Sequence, residues 1–522
     1  MSSVLDEVVE EIEPAPNIVS VMAAAKPSYL LSIDVGTSGV RAALFDDRGG
    51  EVPGAYARHH RETGSDLSEL DPESLVDEVI KTVDELFTYH FHSEARIELI
   101  AISTFWHSLI GVDENGVPTT QLLTWADTRA ARFAGVLRSQ FNERDIHRRT
   151  GCRFHPSYWP AKLRSLKQEH SRKFNATRYW LGFAEYLCLR LFGEIASSVS
   201  MASATGLFNQ KECDWDWEFV EALGISPDTL PEIKTQTSFR LGETFAFRWP
   251  ALAEAQLVTI VGDGAANNIG AGCSTKEKIA LMVGTSGAMR VVFAGEPPAE
   301  IDPALWSYRV TNTRVVVGGA LSDGGGLFQW LIETLKVNDG LATLEEDVAS
   351  LEPDSHGLTI LPFWSGERSS GWMADARGGI FGLRQQTSTV EIVRAVFESI
   401  AYRFASIARA LDPIAPGAAI FASGNALRAS SVWTQIIADV LGRPLMFGGS
   451  PEASMRGAAL LALETVGKIG TIEEDLVVVE RVFEPDMTRH ARYQEGLARQ
   501  QELYQRIFSV TLEQEQQSGA GK

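Results

Sequence analysis

Short apolar runs alternate with amphipathic stretches along the chain from Tyr29 onward. The segment LLSIDVG at 30–36 is short and apolar and ends in a glycine turn, which predicts a buried strand. The segment RAALFD at 41–46 predicts a second strand, and apolar residues recur at helical spacing through Pro72–Phe87. A further strand is predicted at 97–105. A β-hairpin followed by a helix and a strand predicts an α/β domain with a mixed sheet.

The second half of the chain opens with the same pattern. Residues 278–286 and 288–295 predict two strands around a glycine turn, and Thr389–Leu411 predicts a long helix. The strand predicted at 418–424 again ends in glycine, and a helix is predicted at 430–442. We therefore expect two similarly built α/β domains.

The division into domains follows from this repetition. A chain of 522 residues is too long for one hydrophobic core. We expect one domain at 29–270 and a second at 271–510. The acidic segment 1–28 does not resemble a secretory signal, because such a signal begins with positive charge. This segment and the tail 511–522 are predicted to be disordered.

The five residues VGTSG occur twice, at Val35–Gly39 and Val283–Gly287, each time between two predicted strands. Small residues in such a turn let backbone N–H groups converge on one concavity, which suits phosphate oxygens. Only the first copy follows an acid, Asp34, where the second has Met282. A carboxylate beside phosphate indicates an intervening Mg²⁺, which prefers both as ligands. The alternative is chance repetition of common turn residues, which the shared strand context makes a poor explanation.

Composition and charge narrow the classes of function. The net charge of −21 argues against binding nucleic acid or anionic membranes, although a local site can still be positive. No apolar run is long enough to cross a bilayer. The four cysteines include no CxxC pair, so a zinc site is not expected, and their scarcity suggests reduced thiols in a cytoplasmic protein. A homodimer is left open.

The DVGTS turn after a strand, with a second GTS turn in the later half, resembles the FGGY family of sugar kinases. The resemblance extends from about Tyr29 to Gly496. It implies two duplicated actin/hexokinase-like (ribonuclease H-like) domains that close on ATP and Mg²⁺ across an interdomain cleft. Asn425 stands where the family usually has a second glycine, and asparagine can adopt the left-handed conformation. The resemblance implies these nucleotide-binding residues: Asp34, Gly36, Thr37, Ser38, Arg41, Gly284, Thr285, Ser286, Gly287, Gly319, Gly424 and Asn425.

One acid, Asp263, lies among small residues in VGDGAANNIGAG at 261–272. Phosphoryl transfer to a hydroxyl needs a carboxylate that accepts the hydroxyl proton. The resemblance implies that Asp263 is this catalytic base and that it lies at the metal with Asp34. A helix N-cap is the alternative interpretation of Asp263, and the two roles are compatible.

Aromatic and polar residues suited to a sugar follow the strand predicted before residue 106. Sugars need directional polar groups beside flat apolar faces. The resemblance places the substrate here, which implies roles for Trp106, His107, Asp127 and Arg129. A solvent-exposed ion pair is the alternative for Asp127 and Arg129. Lys162 is expected either to support the structure or to edge the cleft.

The residues that follow the candidate base indicate a substrate. DGAANNIG at 263–270 resembles the D-G-x-x-A-N-x-G form of the gluconokinase branch, with Asn267 where alanine is usual. The segment 361–383 resembles the same branch, although ion pairs within their own loop are an alternative for Arg368 and Arg377. We therefore expect ATP-dependent phosphorylation of a sugar or sugar acid, with gluconate as the favoured substrate. The alternatives are a xylulose, ribulose or polyol kinase and, in another class, a catalytically inactive sugar-binding regulator on the same fold.

Overall fold

A computed structural model describes residues 28–61, 68–91, 96–335, 341–475 and 477–519, leaving aside the side chains of 341–343 and 509–519. The predicted extension 1–28 lies outside these residues except for Ser28. Within the described part of the chain, no helix is long and apolar enough to cross a membrane. All four cysteines are free thiols.

The strands are numbered β1 to β23 in chain order. Their bounds are Ser28–Gly36, Gly39–Phe45, Glu51–His60, Glu69–Leu70, Arg96–Thr104, Ile110–Val112, Leu122–Leu123, Tyr179–Leu181, Ala196–Ser198, Phe208–Asn209, Asp214–Trp215, Glu232–Lys234, Phe239–Arg240, Gln256–Gly262, Lys278–Val283, Gly287–Ala294, Trp306–Thr311, Arg314–Leu321, Thr359–Leu361, Gly379–Phe381, Ala419–Ser423, Leu445–Gly448 and Val479–Phe483.

The α-helices are numbered α1 to α17 in the same way. Their bounds are Pro72–Glu85, Ala131–Gln140, Glu143–Thr150, Trp159–Glu169, Ser171–Ala176, Phe183–Phe192, Val199–Ser203, Trp217–Ala222, Glu243–Arg248, Asp263–Gly270, Gly325–Leu335, Leu341–Ser350, Thr389–Leu411, Asn425–Ala429, Ser431–Leu441, Ala453–Thr465 and Met487–Gly519. A π-helical turn follows α1, and three short 3₁₀ turns occur at Pro227–Thr229, Pro250–Leu252 and Ile472–Glu474.

Two mixed sheets dominate the fold and repeat one strand arrangement. In the first sheet β1 pairs antiparallel with β2 and parallel with β5, and the order is β13-β14-β5-β1-β2-β3. In the second sheet β15 pairs antiparallel with β16 and parallel with β21, and the order is β17-β18-β16-β15-β21-β22-β23. The predicted α/β fold with two duplicated units is therefore confirmed. Each VGTSG turn joins the first two strands of its own sheet.

The long helix predicted at 389–411 is present with these bounds as α13. The hydroxyl of Ser388 accepts a hydrogen bond from the amide of Glu391 at 3.2 Å, and the Glu391 carboxylate accepts one from the Ser388 amide at 2.7 Å. This reciprocal pair satisfies two amides of the first turn. By contrast, α1 ends at Glu85, because the backbone passes into the π-helical turn Leu86–His90.

One helix of the second half belongs to the first hydrophobic core. Helix α16 packs against α10 and against the first sheet. A Cβ atom on Gly457 would lie 1.8 Å from the carbonyl oxygen of Ala266, and one on Gly270 would lie 1.8 Å from that of Ala453. Both positions need glycine because the two backbones approach so closely. A division near residue 270 thus separates the two sheets, whereas the first core also draws on 453–465.

The last helix is longer than the composition indicated. Helix α17 continues to Gly519, whereas residues 511–522 are predicted above to be disordered. Glutamate and glutamine, which fill much of this segment, are good helix formers, so they can continue a helix that has already begun. The expectation of a disordered tail is therefore wrong for the backbone of 511–519.

Candidate active site

Two adjoining cavities lie between the two halves of the chain. The larger has a volume of roughly 900 Å³ and the smaller one of roughly 520 Å³. Both VGTSG turns and the predicted catalytic acid border the place where the cavities meet. The residues common to both linings are Thr37, Ser38, Asp263, Asn267, Met282, Gly284, Thr285 and Ser454.

Asp263 is the first residue of α10, directly after β14. The residue before it must be glycine, because a Cβ on Gly262 would lie 1.8 Å from Nε1 of Trp106. Gly262 also holds the N-cap position, so Asp263 is not itself the cap. Its Oδ1 accepts a hydrogen bond from the amide of Gly264 at 2.7 Å. The strand and helix together therefore place this carboxylate at the junction of the two cavities.

Of the carboxylates that line the larger cavity, Asp34 and Asp263 are the two predicted to bind the metal. Asp34 is almost fully buried, accepts a hydrogen bond at Oδ1 from Ser103 at 2.7 Å, and pairs at Oδ2 with Arg41. Burial and, next, the charge of Asp34 raise the pKa of Asp263 to about 6, while Arg290 opposes the shift. Two carboxylates beside candidate phosphate-binding turns offer the oxygen ligands that Mg²⁺ prefers. The donor set therefore fits the predicted metal.

Arg41 lines the larger cavity, but its guanidinium group is already engaged. It pairs with Asp34, and its Nη1 donates to Glu452 at 2.7 Å. Glu452 also accepts a hydrogen bond from the hydroxyl of Tyr56 at 3.1 Å. Arg41 thus ties β2 to the segment that precedes α16, and its contact with a nucleotide stays a prediction.

Each VGTSG turn presents amides that lack an acceptor. At the second turn the carbonyl of Gly284 accepts a hydrogen bond from the amide of Gly325 at 2.7 Å, so the carbonyl oxygens are used within the protein. Backbone N–H groups without an acceptor suit an anion such as phosphate. Among the described residues, the amides without a backbone or side-chain acceptor at these turns are those of Thr37, Ser38, Thr285 and Ser286.

Two of the predicted nucleotide-binding residues, Gly424 and Asn425, line the larger cavity. Gly424 has a φ of 100°, and a Cβ there would lie 2.2 Å from the carbonyl oxygen of Val283, so only glycine fits. Asn425 begins α14 with right-handed helical backbone, so the left-handed conformation considered for it is wrong. Trp433 stacks on Phe397 with ring centroids 4.5 Å apart, and both rings line the cavity. An apolar wall of this kind suits a nucleotide base.

Aromatic rings line much of the smaller cavity. Trp306 and Tyr308 stack with their centroids 4.3 Å apart, and Trp106 packs edge-on against Tyr308 at 5.2 Å. The hydroxyls of Tyr158 and Tyr308 are hydrogen-bonded at 2.6 Å, and burial raises the pKa of both well above the ordinary value. Both phenols are therefore neutral at physiological pH. Flat rings beside neutral hydroxyls suit a carbohydrate.

His107 also lines the smaller cavity and is held from two sides. Lys162 donates from Nζ to the carbonyl oxygen of His107 at 2.7 Å, and also to that of Thr124 at 2.7 Å. The Nδ1 atom of His107 lies 2.7 Å from the carbonyl oxygen of Ala204, which can only accept, so Nδ1 carries the proton. Burial lowers the pKa of His107 to about 3. The ring is therefore neutral, its Nε2 is an acceptor, and Lys162 supports the loop rather than edging the cleft.

Two arginines that line the smaller cavity, Arg290 and Arg368, form no ion pair with any described residue. Arg290 is 4% exposed, and its side chain makes no hydrogen bond or ion pair with any described residue. Arg368 donates from Nη2 to the carbonyl oxygen of Leu321 at 2.9 Å, while its Nε is buried and unpaired within the described structure. Burial lowers the pKa of both, that of Arg290 to about 10, so Arg290 stays charged at neutral pH. Arg368 is taken as charged because a guanidinium group is not deprotonated in proteins. Asp263 is the one carboxylate among the described lining residues, which leaves the cavity with one excess positive charge.

Three predicted site residues lie outside both cavities. Arg129 is largely exposed and pairs with Asp127 and Glu69, which is the solvent-facing alternative considered for it. Asp127 is used by that ion pair and by the amide of Arg129 at 3.0 Å. Gly319, expected to face the nucleotide, lies within β18, where a Cβ would come 2.8 Å from Cγ1 of Ile407. The absence of a side chain at this position leaves room for Ile407 of α13 and not for a ligand.

Several lining residues were not predicted, because they come from separate elements and form no motif. Tyr158 precedes α4, Trp306 and Tyr308 lie on β17, and Trp372 lies in the loop after residue 365. The available signal was the alternation of Trp306 and Tyr308, which places both rings on one face of a strand. The pattern does not predict which cavity this face of the strand lines.

Comparison with known proteins assigns the chain to a family. Residues 29–270 match the N-terminal domain of the FGGY family of carbohydrate kinases, and residues 279–465 match the C-terminal domain of that family. The chain therefore belongs to the FGGY family and is an ATP-dependent carbohydrate kinase.

Individual relatives differ in the substrates that their names give. The gluconokinase of Bacillus subtilis is 31% identical over 467 residues, which cover 85% of this chain and 89% of that protein. A gluconate kinase structure from Lactobacillus acidophilus has a TM-score of 0.83 at 28% identity, covering 92% of this chain and 98% of that one. A xylulose kinase structure from the same organism has a TM-score of 0.84 at 27% identity, with the same coverage.

Proposed function

We propose that this FGGY kinase transfers the γ-phosphoryl group of ATP to a hydroxyl of a sugar acid, with gluconate as the substrate. The observation that carries the proposal is the excess positive charge of the smaller cavity. Arg290 and Arg368 face one carboxylate, Asp263, and a buried cation without a partner is costly. A carboxylate on the substrate supplies the missing charge, whereas a neutral polyol leaves it uncompensated.

Asp263 is the proposed general base. Its pKa of about 6 leaves it ionised at neutral pH and still basic enough to share the proton of a hydroxyl that attacks phosphorus. The neutral His107 accepts a hydrogen bond at Nε2 from another substrate hydroxyl, which orients the sugar. Trp106 closes the wall behind both groups and excludes water, which limits hydrolysis of ATP.

The larger cavity is the proposed ATP site. The unpaired amides of the two turns at 37–38 and 285–286 hold phosphate oxygens, and the base lies toward Phe397 and Trp433. Asp34 and Asp263 would hold Mg²⁺, which supplies positive charge to the phosphate oxygens when it is bound. Because the cavities meet at Asp263, the phosphate chain and the acceptor hydroxyl approach each other at the proposed base.

The experiment is a coupled assay of ADP formation with gluconate, xylulose, ribulose, glycerol and erythritol. We expect the highest kcat/KM with gluconate and a loss of at least about 1,000-fold in kcat for Asp263→Asn. Xylulose well above gluconate would overturn the substrate, and no turnover above that of the variant would support an inactive sugar-binding regulator.

The Asp263→Asn variant is also a fair test of folding. The pKa of about 6 in the folded state lies above the ordinary value of 3.8 for an aspartate, so the fold disfavours the ionised form of Asp263 at neutral pH. An amide removes this cost, and we expect the melting temperature to stay unchanged or to rise. Loss of turnover together with a lower melting temperature would therefore point to misfolding rather than to a missing base.

A further inference from the structure

The two unpaired arginines lie at different places in the smaller cavity. Arg290 follows the second VGTSG turn on β16, and its Nη1 lies against the start of α10, where a Cβ on Gly264 would come within 2.3 Å of it. Its guanidinium group thus lies beside Asp263, where the phosphoryl group is transferred. Arg290 is therefore suited to stabilise the negative charge on the phosphoryl group during transfer. It is less suited to bind a substrate carboxylate that lies away from Asp263.

Arg368 lies among the aromatic walls of the cavity. Its Cζ is 4.9 Å from the ring centroid of Trp125, and its Nη2 is fixed by the carbonyl of Leu321. The Trp125 ring thus covers one face of the guanidinium group. The Nε–H group of Arg368 has no acceptor among the described residues and is free to donate to a ligand. A planar fork of N–H groups matches the two oxygens of a carboxylate.

The loop that carries Arg368 is clamped by its neighbour Glu367. The Glu367 carboxylate pairs with Arg403 of α13 and accepts a hydrogen bond from the hydroxyl of Tyr504 of α17 at 2.7 Å. Its Oε1 also accepts a hydrogen bond from the backbone amide of Gly371 at 3.1 Å. Glu367 is 2% exposed, and these partners satisfy the hydrogen-bonding capacity of its buried carboxylate. These contacts of Glu367 restrict the backbone next to Arg368.

The loop is also fixed to the second sheet. Ser369 donates from its amide to the carbonyl of Ala320 at 2.9 Å, and its hydroxyl accepts the amide of Ala320 at 3.0 Å. Arg403 donates a further hydrogen bond to the hydroxyl of Ser370 at 2.9 Å. The residues on both sides of Arg368 are thus held, so its guanidinium group is presented at one place in the cavity.

We propose that Arg368 is the specificity-determining residue that binds the carboxylate of the sugar acid. Tyr504, on the last helix, is a positioning residue that holds the Arg368 loop through Glu367. The inference rests on the proposed function and deepens it, because it assigns one of the two cations to the substrate carboxylate. Selectivity arises because a neutral substrate leaves the buried Nε of Arg368, and the positive charge of its guanidinium group, without an anionic acceptor.

The first experiment compares gluconate with gluconamide, a neutral analogue of the same shape. We expect Arg368→Gln to raise the KM for gluconate at least about 30-fold while kcat and the KM for gluconamide change less than about threefold. Arg290→Gln is expected to lower kcat for both compounds alike. Arg377→Gln is the matched control, because Arg377 lies in the same loop, is exposed and lines neither cavity.

The second experiment tests the positioning role with two matched tyrosines. Tyr504→Phe removes the hydroxyl that donates to Glu367, and Tyr402→Phe removes one that donates to Glu398 at 3.2 Å in a separate cluster. We expect Tyr504→Phe to raise the KM for gluconate about three- to tenfold, with kcat and the KM for gluconamide retained. Tyr402→Phe is expected to change neither constant.

The outcomes separate the inference from the proposed function. If the wild-type protein prefers gluconate but Arg368→Gln weakens gluconate and gluconamide equally, Arg368 does not bind the carboxylate and only the inference fails. An acid-selective loss in Arg290→Gln instead of Arg368→Gln would also overturn the assignment. A wild-type protein that accepts no sugar acid removes both claims. Equal effects of the two tyrosine changes would reduce Tyr504 to a role in stability.

Discussion

Asp263 is the residue whose surroundings bear most directly on the reaction. It is the first residue of a helix, it lies where the two cavities meet, and both burial and the nearby Asp34 disfavour its charge. Its raised pKa of about 6 brings the group closer to the pKa that general-base catalysis at neutral pH favours. A carboxylate with an unperturbed pKa would be a weaker base.

The pH dependence of turnover follows from this pKa. The proposed base Asp263 acts when it is ionised, so kcat should be level above about pH 7 and fall as the pH drops through about 6, approaching tenfold per pH unit below it. The measurement is kcat for the favoured substrate from pH 5 to 8, at saturating ATP. A level profile down to pH 5 would show that no group with this pKa limits the reaction.

At the scale of elements, the contact between α10 and α16 holds Asp263 in place. Two glycines allow the helix backbones to touch, and α16 comes from the second half of the chain although it packs in the first core. The helix that begins with the proposed base is thus supported by a segment almost 200 residues away.

Gly457→Ala should destabilise the protein strongly. The new methyl group would lie 1.8 Å from the carbonyl oxygen of Ala266, which forces the two helices apart at a cost of about 2 kcal/mol or more. Gly135→Ala is the matched control, because Gly135 is also helical but has open space at its Cβ position. That change should stabilise the protein by about 0.5–1 kcal/mol. Thermal denaturation of both variants measures the difference, and equal melting temperatures would contradict the close contact.

At the scale of the whole molecule, the two cavities lie between the two halves of the chain. Strands of both sheets line the larger cavity, whereas the smaller one is lined by strands of the second sheet and by turns, loops and helix α10 of the first half of the chain. A ligand in either cavity therefore interacts with both halves of the chain, which is the arrangement that lets domain closure exclude water from the reaction.

Ligand binding should stabilise both halves together. With ADP and gluconate each at about 100 times its Kd, each ligand adds about 2.7 kcal/mol to the free energy of unfolding. We expect differential scanning calorimetry to show one transition at a higher temperature with both ligands than with either alone. If two transitions appear and only one of them shifts, the ligands contact one half alone.

The alternation of apolar runs was enough to predict two α/β units, because buried strands and amphipathic helices have local hydrophobic periods. The repeated VGTSG turns and Asp263 were also identified from the sequence, since a glycine turn after a strand is a local signal. Motif resemblance then supplied the family and ten of the 31 residues that line the larger cavity.

Other features depended on contacts that no local pattern encodes. Arg129 is close in sequence to the aromatic residues of the cavity, yet its side chain pairs with Glu69, whereas Arg368 comes from a distant loop and enters the cavity. Gly319 was expected in a turn that faces the nucleotide, but it lies in a strand, where the lack of a side chain leaves room for Ile407. The sequence alone predicts which elements form and which glycine turns have the composition that suits phosphate. Which buried charges are left without an ion pair emerges only once the chain is folded, because that pairing depends on distances between segments far apart in the chain.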